Sequence, residues 1–111
     1  MAKSEYAARS AIAPQTYTDD EDRLMTGESS ESQSSADCVH WIKAYRELLN
    51  FKDELLTDMD EHIKELSKPA SAEIQELDVG LIEMQRKRYQ RRLDFWLGRQ
   101  KEIGRVQSQS A

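Results

Sequence analysis

From Cys38 onward, large apolar side chains recur at intervals of three and four residues: Trp41, Ile42, Tyr45, Leu48, Leu49, Leu55, Leu56, Met59, Ile63 and Leu66. That is the period of an α-helix with one buried face, and it predicts a first helix over residues 37–67. On a helical wheel these side chains cover an arc of about 140°, with Lys43, Glu47, Asn50, Glu54, Asp58, Glu61, Lys64 and Glu65 outside it. Ser34, Ser35 and Asp37 are candidate N-caps. Ser67-Lys68-Pro69 is a stop, because proline lacks an amide hydrogen and disfavours helical geometry in the residue before it.

A second helix is predicted over residues 70–104, entered through Pro69 or capped by Ser71. It carries Ile74, Leu77, Leu81, Ile82, Met84, Tyr89, Leu93, Phe95, Trp96, Leu97 and Ile103, with Val106 just beyond; Ile82, Tyr89, Trp96 and Ile103 are spaced by seven. Its apolar arc is broader, about 200°, wide enough to meet more than one neighbour. Gly80, after Asp78-Val79, marks a kink or a break, since glycine inside a helix costs about 1 kcal/mol relative to alanine. The hairpin is expected to span residues 37–106, and the polar end, residues 107–111, to fray.

Two long helices joined by so short a link are antiparallel neighbours, so the predicted fold is all-α, a coiled-coil-like two-helix hairpin. Two helices alone leave much of both apolar stripes uncovered. A further packing partner is therefore expected, most simply a second copy, giving a two-fold dimer built as a four-helix bundle.

Residues 1–36 contrast with the rest. They hold seven acidic against three basic side chains and the polar run Glu28-Ser29-Ser30-Glu31-Ser32-Gln33-Ser34-Ser35. Such composition predicts a disordered acidic tail, because it offers too little apolar surface to offset the entropy of ordering. Its serines are candidate phosphorylation sites and its acidic run a docking motif for a basic partner.

At 111 residues the chain holds one small domain, and its single cysteine has no intrachain partner, which fits a reducing compartment. Its apolar stretches are far shorter than the roughly 18 residues of a spanning helix, and Met1 to Pro14 lacks the apolar centre of a secretory leader; a cytoplasmic protein without membrane contact is expected. With glycine only at positions 27, 80, 98 and 104, neither a phosphate-cradling loop nor a dinucleotide fingerprint can be written. His40 and His62 lie about 33 Å apart along one helix, so they cannot share a metal with Cys38. Cys38 opens an apolar stripe, where a small buried thiol is expected rather than a nucleophile. No catalytic role, cofactor or metal site is assigned.

The net charge of -5 is unevenly spread. Residues 37–80 hold five basic and eleven acidic side chains, residues 81–111 eight basic and three acidic. Folding back near Lys68 sets Asp53 and Glu54 level with Arg86, and Glu47 level with Arg92, which favours this register. Arg88 and Arg92 project into the broad apolar arc beside Leu81 and Trp96. Fewer cations then remain outside, including Lys87 and Arg91, and nucleic-acid binding is disfavoured although it stays an alternative function. The fold-back also places Trp41 and Tyr45 in one layer with Phe95 and Trp96. That layer is either an aromatic core closing the open end or, since tryptophan and arginine anchor interfaces, a partner-binding patch.

Arg86, Gln90 and Asp94 resemble the latter part of a glutamate, serine, arginine, glutamine, aspartate motif in the cyclic-di-GMP-binding anti-sigma hairpins, with Val79 and Glu83 at its first two positions. The resemblance implies Arg86 as a ligand contact and sequestration of a transcription factor as the function. Trp96-Leu97-Gly98 is similar to the tripeptide of the small secreted WXG hairpins, where it lies in the central turn and not far along the second helix. From the residues themselves, the expected function is that of a non-enzymatic helical adaptor or regulatory protein, acting through self-association and a protein partner.

Overall fold

Ser34 starts the helical part of the chain. In a computed structural model, which describes residues 23–110 with side chains placed through Ser108, its hydroxyl accepts the Asp37 amide at 3.2 Å. That satisfies one of the amides a helix N-terminus leaves without a partner. Helix α1 then spans Ser35–Ile63. It ends four residues before the predicted stop, because the chain tightens: the Glu65 amide donates to the His62 carbonyl and the Leu66 amide to that of Ile63. Ser67 is free to cap the next helix, accepting from the Ala70 amide. Helix α2, Lys68–Ile74, therefore begins ahead of the predicted start, with Pro69 in its first turn, where no amide donor is needed.

Gln75–Val79 forms one π-helical turn, and α3 spans Gly80–Ser110. Ile74, Gln75 and Gly80 all keep right-handed helical angles, so the backbone does not break at Gly80. The wider i→i+5 turn takes in one extra residue and rotates the phase of α3 relative to α2. Leu77 lies within this turn and is exposed, so it does not join the apolar face on which the sequence placed it. α3 stays helical to Ser110, beyond the predicted end and through residues expected to fray.

Helices α1 and α3 pack along their length as the predicted hairpin, and the described residues contain no strand. Cys38, Ile42, Tyr45 and Leu49 of α1 close onto Tyr89, Leu93 and Trp96 of α3, with Trp41, Leu48, Phe95, Leu97 and Ile103 packed around them. Tyr45 and Trp96 are fully buried. Toward the bend, Ile63 and Ile82 are buried, whereas Leu66 is exposed where α1 has already ended. The Arg86 Nε lies 2.6 Å from Asp53 Oδ1, the pairing expected from the register.

The main difference from the sequence reading lies before α1. Residues 23–34, expected to be part of a disordered tail, lie as a strap along the open end of the hairpin, with Met25 packed on the core. The strap turns at Gly27, whose φ of +88° puts it where L side chains rarely go. The Glu28 amide closes this turn by donating to the Met25 carbonyl at 3.0 Å. The expected disorder of residues 1–22 and the fraying of Ala111 fall on residues outside those described.

A candidate functional site at the open end

The strap is held by one carboxylate. Glu28 projects between the helices, its side chain fully buried, and accepts from five donors. Tyr45 Oη at 2.5 Å and the Met25 amide at 2.9 Å donate to Oε1. Trp96 Nε1 at 2.7 Å and Arg92, through Nη2 at 2.8 Å and Nε at 3.1 Å, donate to Oε2. An ionised carboxylate is acceptor-only with about four lone-pair sites, so this one is saturated. A buried charge is tolerable only under such pairing.

Three arginines of α3 lie along the strap. Arg88 Nη1 donates to the Arg23 carbonyl at 3.2 Å, Arg92 Nη2 also reaches Ser30 Oγ at 3.2 Å, and Arg99 Nη1 donates to the Ser32 carbonyl at 2.5 Å. The guanidinium groups of Arg92 and Arg99 sit 4.4 and 5.1 Å from the Phe95 ring centroid. Arg88 lies 4.9 Å from the ring of Tyr89. Such stacking gives each guanidinium an attractive surface besides its hydrogen bonds. Arg88 and Arg92 thus lie inside the apolar arc as expected, but Arg92 pairs with Glu28 and not with Glu47.

Burial alone would raise the pKa of Glu28, but hydrogen bonds from Tyr45, Trp96, the Met25 amide and Arg92 outweigh it and hold the carboxyl below its ordinary value. Tyr45 is pushed well above the usual phenol range, first by burial and then by its hydrogen bond to the Glu28 carboxylate. Burial also raises the Cys38 thiol, with Asp37 adding to the effect, so this cysteine is held as an inert thiol in the core.

The structure brings together the four aromatic residues picked out by sequence: Tyr45 and Trp96 in the core, with Trp41 and Phe95 partly buried against it. The second group stays apart from them. Arg86 pairs with Asp53, Gln90 Nε2 donates to Asp94 Oδ1 on the same helix at 3.0 Å, and Lys87 and Arg91 are exposed. Glu28 was missed, yet a signal for it existed: guanidinium groups inside an apolar arc require a carboxylate partner. Among the described residues, no three His, Cys, Asp or Glu side chains converge as a metal site, and no helix is long and apolar enough to cross a membrane. Comparison of the chain with protein-family models, with curated proteins and with solved structures yields no significant match.

Proposed function

We propose that the protein is a non-enzymatic helical adaptor or regulator that works by pairing with a second copy of itself and binding a protein partner. The observation that carries this reading is an apolar stripe on one side of α1. Phe51, Leu55 and Met59 follow one another at helical spacing beside the core-packed Leu48; Phe51 is 60% exposed and Leu55 and Met59 are half-buried. A helix side of that kind is what a four-helix bundle covers. The shape supports the same reading, since a body of 63 × 32 × 18 Å is only about two helices wide and one thick.

Sedimentation of the full chain at roughly 10–100 µM tests it, a range that corresponds to about 5.5–7 kcal/mol of association free energy. A dimer is expected, and Phe51→Lys is expected to shift it to monomer with the melting of the hairpin retained. A wild-type chain that stays monomeric throughout that range overturns the reading.

A further inference from the structure

The contacts between strap and hairpin are those of a bound peptide on its receptor. Every side chain that hydrogen-bonds the strap from outside it stands on a helix: Asp37 and Tyr45 on α1, and Arg88, Arg92, Trp96 and Arg99 within about three turns of α3. The strap in return offers two main-chain carbonyls, of Arg23 and Ser32, the hydroxyls of Ser30 and Ser32, the apolar Met25, and one buried acidic side chain. Any chain can supply the carbonyls. The side chains carry identity: above all the buried carboxylate and the apolar residue before its glycine turn, with the hydroxyls of Ser30 and Ser32 beside them.

We propose that the open end of the hairpin is a binding site for an acidic peptide segment of a partner protein, and that Arg23–Ser34 occupies it in cis. The segment it takes has a glutamate after a glycine turn, with an apolar residue three positions before the glutamate. The proposal rests on the reading of the protein as a binding module and adds the site and the class of ligand. Charge complementarity selects this occupant: three guanidinium groups line the groove, Arg92 pairing with the buried Glu28 carboxylate while Arg88 and Arg99 donate to strap carbonyls on either side of it. A tether as short as the link to α1 gives the strap an effective concentration in the millimolar range, so a partner gains the site only once the strap is weakened.

The test is a titration of full-length chain with a synthetic peptide of the Arg23–Ser34 sequence. Glu28→Ala in the full chain removes the cis anchor. This variant is expected to bind the peptide saturably and about tenfold or more tighter than wild type, whose own strap competes. Replacing glutamate by glutamine in the peptide, at the position equivalent to Glu28, is expected to weaken binding about tenfold or more, as loss of a charge-assisted buried contact does. If the alanine chain loses its helical circular dichroism, the same titration on Glu28→Gln, which keeps the side-chain volume, decides. A helical variant that does not bind the peptide overturns the proposal, as does equal binding by wild type. Association between intact wild-type chains that Glu28→Ala abolishes, with free peptide unbound, gives the site to a second copy and overturns the assignment to a partner. Self-association through α1, read by sedimentation, stands or falls separately.

Discussion

A single carboxylate links chemistry to shape here, and its protonation should be visible in stability. Unfolding returns Glu28 to the ordinary value of 4.5, above its value in the fold. The unfolded chain therefore takes up the proton more readily, and what Glu28 contributes is intact above about pH 4.5 and lost as the pH falls through the folded value. Tyr45 has the opposite sign: its folded value lies above 10, so its contribution is intact below pH 10 and lost as the pH rises beyond it. Urea unfolding across pH should accordingly weaken at both ends, and Glu28→Gln should flatten the acid side. At pH 7 that substitution should cost about 3 kcal/mol, the low end for breaking a buried pair, because the strap can lift and let water reach Arg92. An acid limb of undiminished slope in Glu28→Gln would assign the loss to other carboxylates. Trp96 is fully buried and gives Glu28 one of its five donors. Trp96→Ala should cost about 3–5 kcal/mol. An unchanged denaturation midpoint would instead make this side chain an exposed binding patch.

At the scale of elements, the two glycines beside irregular backbone behave oppositely. Gly27 holds a positive φ, so Gly27→Ala should cost about 1–2 kcal/mol and loosen the strap. Amide exchange should show this as faster exchange at Glu28. Gly80 is helical, with open space where a Cβ would go, so Gly80→Ala should raise stability by up to about 1 kcal/mol in a thermal or urea melt. Destabilisation there would mean that the π turn needs glycine. The contrast shows what was legible in the sequence. The seam from Cys38 to Ile63, the Ser34 cap, the bend before Pro69 and the Asp53–Arg86 register follow from period and from neighbours close in sequence or aligned by one fold-back. The strap does not, because its order depends on Glu28, whose partners Tyr45, Arg92 and Trp96 stand 17, 64 and 68 residues away. Composition averages over a window and cannot weigh one saturated carboxylate. The arc of about 200° did predict a second neighbour for helix two. That neighbour is the chain's own strap. The π turn escaped for another reason: Asp78-Val79-Gly80 reads as an interruption, and the backbone resolves it by one wide turn without losing helical angles.

For the whole molecule, elongation and charge together bear on the orientation of the proposed pairing of two copies. The described chain has a radius of gyration of 18.8 Å, against about 13 Å for a globular domain of ~100 residues, so its sides hold most of its surface. The stripe from Phe51 to Met59 lies on one such side, and Phe51 stands near the middle of α1. Charge along α1 is lopsided. Asp53, Glu54, Asp58, Asp60 and Glu61 crowd its second half against Lys52, whereas Lys43 and Arg46 balance Asp37 and Glu47 in the first. Parallel pairing would set the two acidic halves together. Antiparallel pairing lays each against the neutral half of the other copy and puts the two-fold axis near Phe51. Spin labels on cysteines introduced at exposed positions, with Cys38 replaced by Ala, distinguish the two arrangements. In the antiparallel dimer, labels at Asn50 should be close, within about 20 Å, while labels at Glu61 should be roughly 30 Å apart, about twice the ten-residue rise from the axis near Phe51. Two short distances of similar length would establish the parallel arrangement, and with it a source of binding strong enough to overcome the acidic repulsion.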